Sequence, residues 1–223
     1  MIYCVGVGPG DKKHITNYAV ELISNADVVV GFEYVLKIIE TYLKSNTKTY
    51  VLTYKIQVSK LEEIARLHHQ GLTVIVVFMG DIHFSGFQLL ERVELACGHN
   101  VETVPGISSS QILASRARVC FDETSFITFH RRGNIEPFKK HLISSLNDQR
   151  NVIIIPRPFD FMPNDIARFL LDNGIDTTHQ VEVWENLTQA ESCWTGFLKD
   201  LNQDFSDISI MLIRCLVPIV SQL

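Results

Sequence analysis

Leu72-Thr73-Val74-Ile75-Val76-Val77-Phe78-Met79 carries no charge and ends at Gly80-Asp81. It is apolar or β-branched at every position rather than at alternate ones. That reads as a strand covered on both faces, as in a parallel sheet with helices on either side. The flanking segments repeat a strand–helix alternation. Ile2–Val7 is a short apolar run stopped by Gly8-Pro9-Gly10, and Thr16 is placed to cap a helix whose Tyr18, Ala19, Leu22 and Ile23 share one face. Asp27–Gly31, Lys48–Leu52 and Asn100–Val104 predict strands. Helices are predicted over Glu33–Leu43, through Leu61, Ile64, Ala65 and Leu67 with Gly71 closing, over Phe87–Ala96 with Gly98 beyond, and over Ser108–Arg116.

After Arg118 the rhythm restarts. Phe126–Phe129, Val152–Ile155, Gln180–Trp184 and Ile208–Ile213 predict strands, and Pro137–Leu146 and Pro163–Leu171 helices. Repeated alternation of this kind makes an α/β protein with a mainly parallel sheet. The least regular stretch is Ala117–Thr124. It divides the chain into an N-terminal α/β domain over 1–117, with a mainly parallel sheet, and a C-terminal α/β domain over 118–223, with a mixed sheet.

The chain has 223 residues, 46% hydrophobic and 20% charged, so it is not a disordered polymer. A chain of this size buries about 70% of its surface on folding and needs no disulfide or structural metal. Cys4, Cys97, Cys120, Cys193 and Cys215 are an odd set with long gaps and no CxxC, and no HExxH occurs, which predicts no metal site. The net charge of −5 argues against general nucleic-acid binding. No apolar run is of membrane-spanning length and no leader-like segment opens the chain, so the expectation is a soluble, cytoplasmic protein.

Five motifs follow strands and are candidates for chemistry. Val5-Gly6-Val7-Gly8-Pro9-Gly10-Asp11 is a glycine-rich turn that lets backbone approach a ligand. It fits a dinucleotide fingerprint poorly: the third glycine falls one place early, Pro9 removes a donor, and the helix cap waits until Thr16. Met79–Gly86 lies at the carboxyl end of the most buried strand, where Asp81 either accepts from a ligand or caps the next helix. His83 reads as a loop histidine with no partner at metal spacing. Val104-Pro105-Gly106-Ile107-Ser108-Ser109-Ser110-Gln111 sets serines at a helix start. Phe129-His130-Arg131-Arg132-Gly133 is the densest positive cluster of an acidic chain; it is either a solvated turn or a grip on a polyanion. Val183-Trp184-Glu185-Asn186-Leu187 says little alone. Cys4, inside the first strand, reads as core rather than nucleophile.

Taken in order, these motifs resemble the tetrapyrrole methylase superfamily, and within it the precorrin-6Y methylase C5 branch, the cobalt-precorrin-7 (C5)-methyltransferases. The resemblance rests on VGVGPGD at Val5–Asp11, ADVVVG at Ala26–Gly31, GDIHFSG at Gly80–Gly86 and PGISSSQ at Pro105–Gln111. It continues with the turn at His130, IARFLLDNGI at Ile166–Ile175 and ENL at Glu185–Leu187. It implies two α/β domains with the active site between them, a homodimer, and S-adenosylmethionine held mostly by backbone groups. It implies cofactor contacts at Gly8, Pro9, Asp81, Phe84, Ser108 and Ser109, with Pro156, Glu185 and Asn186 contributing from the second domain. The function implied is methylation of C5 of cobalt-precorrin-7 to give cobalt-precorrin-8 in cobalamin biosynthesis, leaving S-adenosylhomocysteine. A separate C15-methylating decarboxylase is the implied partner enzyme.

His130, Arg131 and Arg132, with Arg116 and Arg118, are the groups expected to dock the substrate's carboxylates. No catalytic base is assigned, because the methyl donor is already strongly activated and in-line placement is the main task. The chain departs from the family at Ile82, where Pro is usual, at Met79, where Ser or Thr is usual, and at Arg131, in a glycine place. Methylation of a different precorrin carbon therefore stays open. So do a nicotinamide-dependent dehydrogenase using Glu33, and a non-catalytic cofactor-binding module on the same fold.

Overall fold

The computed structural model describes residues 2–158 and 160–216. Its contacts divide into two compact units, one running to Ser108 and the other starting at Ser109. Each is an α/β unit built on a five-stranded sheet.

The first unit contains strands β1 (Ile2–Gly6), β2 (Val28–Phe32), β3 (Lys48–Leu52), β4 (Val74–Phe78) and β5 (Val101–Val104). They are all parallel, in the order β3-β2-β4-β1-β5. The uncharged run Leu72–Met79 contains β4, buried at every position and flanked by β2 and β1. Its alternate residues serve two cores. Val74, Val76 and Phe78 pack with Ile2, Cys4, Val28 and Val30 against helices α3 (Gln57–His69) and α4 (Phe87–Cys97). Ile75 and Val77 face the other way, with Val5 and Val29, onto α1 (Asn17–Ser24) and α2 (Glu33–Ile39). An uninterrupted apolar strand is what two covered faces demand.

The start of α1 is capped by Thr16, whose Oγ1 accepts from the Ala19 N–H at 3.1 Å. Gly98, at φ +67°, ends α4 in the left-handed region. The helix predicted over Glu33–Leu43 is shorter than expected: α2 stops at Ile39 and tightens into a 3₁₀ turn over Glu40–Tyr42.

The second unit holds β6 (Thr124–Thr128), β7 (Asn151–Ile155), β8 (Gln180–Glu185), β9 (Ser192–Phe197) and β10 (Ser209–Ile213). Their order is β6-β7-β10-β8-β9. Only β6 and β7 pair in parallel; β10 runs antiparallel to both β7 and β8, and β9 antiparallel to β8. Helices α6 (Glu136–Asn147) and α7 (Pro163–Asp172) pack on this sheet through Leu142, Leu146, Ile166 and Leu170. Strand β9 escaped the sequence reading. As an edge strand it has little buried surface, so it shows no apolar alternation.

Helix α5 (Ser109–Ala117) groups with the second unit, whereas the sequence reading set the domain boundary after it. It packs on β10. Its end is tied down by Arg214, which donates to the Ala117 carbonyl at 2.8 Å and to Glu182 Oε1 at 2.6 Å.

Ile75→Ala, in the centre of the first sheet, is expected to destabilise by about 2–5 kcal/mol. Val51→Ala, exposed on the edge strand β3, should stay within about 0.5 kcal/mol. Guanidinium unfolding of the two variants measures the difference.

Candidate active site

In the first sheet, the connection leaving β1 crosses to β2 on one side, and the connection leaving β4 crosses to β5 on the other. Adjacent strands whose connections diverge leave a crevice at their carboxyl ends, where open α/β sheets bind ligands. The loops at those ends are the first three motifs of the sequence.

They are joined by main chain. Gly8 and Gly80 form a reciprocal bridge, Gly80 N–H to Gly8 O at 2.8 Å and Gly8 N–H to Gly80 O at 3.3 Å. Both have positive φ, +82° and +66°. The loop after β5 crosses so close that a Cβ on Gly6 would stand 2.6 Å from both the Gly106 nitrogen and the Gly80 oxygen. A Cβ on Gly106 would collide with the same Gly80 oxygen. No side chain fits at this junction, so backbone groups build it.

Asp81 fastens the arrangement. Its Oδ1 accepts from the His83 N–H at 2.9 Å and its Oδ2 from the Gly106 N–H at 3.1 Å. The carboxylate thus links the β4 loop to the β5 loop, while the cap position of α4 belongs to Gly86. Ser108 is buried beside this junction, and Phe84 is half-buried. Ile82 is fully buried in the core with Phe78 and Leu90. Its side chain fills space beneath the loop rather than lining the crevice.

The stretches Val7–Gly10, Met79–Gly86 and Pro105–Ser108 contain no lysine or arginine. Gly10 leads into a 3₁₀ turn over Lys12–His14, and α1 begins only after Thr16. A pyrophosphate on the glycine-rich turn would not meet an α-helix N-terminus. A crevice walled by backbone groups and one carboxylate suits a ligand recognised through hydrogen bonds rather than as a polyanion.

The family model for Tetrapyrrole (Corrin/Porphyrin) Methylases matches residues 1–202. The chain belongs to this family. Among curated proteins, this methylase is 31% identical over 219 residues to the probable cobalt-precorrin-7 C(5)-methyltransferase of Methanocaldococcus jannaschii. That alignment covers 94% of this chain and 96% of the relative. Among solved structures, it shares its fold with the precorrin-6Y methylase of Archaeoglobus fulgidus, with a TM-score of 0.72, 22% identity, and coverage of 97% and 98% of the two chains. It also superposes on the uroporphyrin-III C-methyltransferase of Thermus thermophilus complexed with S-adenosylhomocysteine, with a TM-score of 0.72, 20% identity, and coverage of 96% and 91%. The methylase is accordingly a methyltransferase.

In its second unit, β6, β7 and β8 all run the same way, because β10 is antiparallel to both β7 and β8 and β6 is parallel to β7. Their carboxyl ends therefore share one edge. This edge gathers the His130–Gly133 turn, Pro156 and the Glu185-Asn186 turn. Arg157 ties the first two, donating from Nη1 to the Gly133 carbonyl at 3.3 Å and from Nε to Asp160 at 2.5 Å. Glu185 is engaged locally, accepting from the Ser206 N–H at 2.6 Å.

The basic residues separate by role. Desolvation around the His130 ring lowers its pKa below the usual histidine value, with the Asp207 carboxylate opposing, although the residue as a whole is exposed. At neutral pH the charge of the turn therefore rests on Arg131 and Arg132. The Arg131 guanidinium lies 4.2 Å from the centre of the Phe138 ring. Arg132 and Arg118 are exposed. Arg116 pairs with Glu191 at 3.2 Å. The Arg116–Glu191 pair joins residues far apart in sequence, so no local pattern announces it.

Burial pushes the Cys4 thiol up to about 12 and the Cys97 thiol up to about 11. At pH 8 both should therefore stay protonated and resist an aromatic disulfide reagent that labels exposed Cys120. Peptide mapping after labelling checks this. Asp81→Ala leaves two backbone donors without their acceptor, and Gly106→Ala forces a collision. Each is expected to cost about 1–3 kcal/mol in urea unfolding.

Proposed function

We propose that this methylase transfers the methyl group of S-adenosylmethionine to C5 of cobalt-precorrin-7, giving cobalt-precorrin-8 in cobalamin biosynthesis. The observation that carries the reading is the 31% identity to the probable cobalt-precorrin-7 C(5)-methyltransferase, which runs through nearly all of both chains. When bound, the cofactor would supply an electrophilic methyl carbon, exchanging its bond to sulfur, whose electron pair would stay on sulfur, for a bond to C5, from which a proton would be released.

The residues of this chain then have the task of placement. Gly8, Pro9, Ser108 and Ser109 offer backbone and hydroxyl groups to the adenosyl ligand. Asp81 sets the shape of two loops and keeps spare carboxylate lone pairs for a ligand donor. Phe84 supplies an apolar wall. Pro156, Glu185 and Asn186 are further cofactor contacts from the second unit. Arg131 and Arg132 hold carboxylates of the corrinoid periphery, with His130 adding a neutral donor and Arg118 a further charge. The reading includes a homodimer in the cytoplasm and a separate C15-methylating decarboxylase acting on the same series of intermediates. Among the described residues, no helix is long and apolar enough to cross a membrane.

The decisive experiment incubates the enzyme with cobalt-precorrin-7 and S-adenosylmethionine carrying a ¹³C-methyl group. The expected product shows one new methyl resonance, correlated to C5. A methyl on another ring carbon would assign the enzyme to a different step, and absence of transfer would leave a binding module. Asp81→Ala is expected to weaken S-adenosylhomocysteine by about tenfold in calorimetry, the order of one lost charge-assisted contact. Arg132→Glu should raise the KM for the corrinoid and leave cofactor affinity unchanged.

A further inference from the structure

The hairpin joining β8 to β9 holds two non-glycine residues in the left-handed region, Asn186 at φ +49° and Thr188 at φ +76°. Leu187, between them, is buried. Asparagine adopts this conformation readily; a β-branched threonine does not, and its neighbours must enforce it.

Backbone bonds fix the first half of the turn. The Asn186 N–H donates to the Ile208 carbonyl at 3.0 Å, and the Gln189 N–H returns to the Asn186 carbonyl at 2.9 Å. The strained residue is held by a side chain: the Thr188 N–H donates to Glu191 Oε2 at 3.0 Å. The other oxygen of that carboxylate accepts from Arg116 Nε at 3.2 Å, and Arg116 stands in the last turn of α5. One carboxylate thus spans two elements, a helix on one oxygen and the turn on the other.

We propose that Arg116 and Glu191 are positioning residues that hold the Glu185–Thr188 turn in its left-handed conformation and so set the affinity of the adenosyl site. The proposal rests on the reading of Glu185 and Asn186 as cofactor contacts. Strained backbone persists where its surroundings over-determine it, and here the Thr188 N–H bond to Glu191, itself paired with Arg116, is one of those constraints. Without the pair, Thr188 relaxes toward negative φ and the ligand-ready turn becomes a minor population. Apparent affinity then falls in proportion to that population. On this account Arg116 acts within the protein and not on the substrate's carboxylates, the role its sequence context suggested.

The test titrates S-adenosylhomocysteine into the full chain by calorimetry, with thermal unfolding in the absence of ligand as the check on folding. Glu191→Ala is expected to weaken binding by about tenfold, as when a competent state drops to a tenth of the population. Arg116→Met should weaken it less, because Glu191 keeps its bond to the turn. Thr188→Gly supplies the rescue. Glycine adopts φ +76° without steric penalty, so Thr188→Gly combined with Glu191→Ala should bind within about twofold of Thr188→Gly alone.

Wild-type affinity in Glu191→Ala overturns the proposal and leaves the cofactor reading intact. An unrescued deficit in the double variant also overturns it, because it would place Glu191 on the ligand itself. Failure of the wild-type chain to bind S-adenosylhomocysteine overturns the cofactor reading, and this proposal falls with it.

Discussion

The first unit depends on a close crossing of main chain where Gly6, Gly80 and Gly106 meet. Two covered faces require an apolar central strand, and that strand must end abruptly to deliver a loop at the sheet's carboxyl edge. The loops after β1, β4 and β5 arrive at one place because of the strand order, not because of sequence proximity. They can share that place only if no Cβ intervenes. The result is a wall of amides and carbonyls, which suits recognition of a ligand by its shape and hydrogen-bonding groups.

Asp81 and Ile82 show how adjacent residues divide the work of such a loop. The carboxylate turns toward the loops and collects two N–H donors. The neighbouring aliphatic chain turns into the core with Phe78 and Leu90. The loop is thereby anchored from below and laced from above, so little ordering remains for a ligand to impose.

Much of this was legible in the sequence because it is local. Unbroken apolarity marked β4, Thr16 marked the start of α1, and Gly98 marked the end of α4. The glycine-rich turn was separable from a dinucleotide loop by its spacing and by Pro9. What stayed hidden depends on distant partners. The edge strand β9 lacks the burial that would pattern it. Helix α5 buries Ile112, Leu113 and Ala114, and its own sequence does not say which sheet covers them. Arg116 reads in the sequence as a cation for an anionic substrate, and its pairing with Glu191, far along the chain, leaves no local pattern. Asp81 looked like a helix cap or a ligand acceptor, and its bond to Gly106 joins residues on different loops.

Arg214 repeats that lesson in the second unit. It leaves the end of β10, reaches Glu182 on β8, and donates to the terminal carbonyl of α5. A single guanidinium therefore anchors the rim of a helix to two neighbouring strands. Such a junction ties local opening to the larger event: the last turn of α5 can fray only when that cation is released. Amide protons there would then exchange with solvent on the slow schedule of the sheet, not on the fast one typical of a surface helix end.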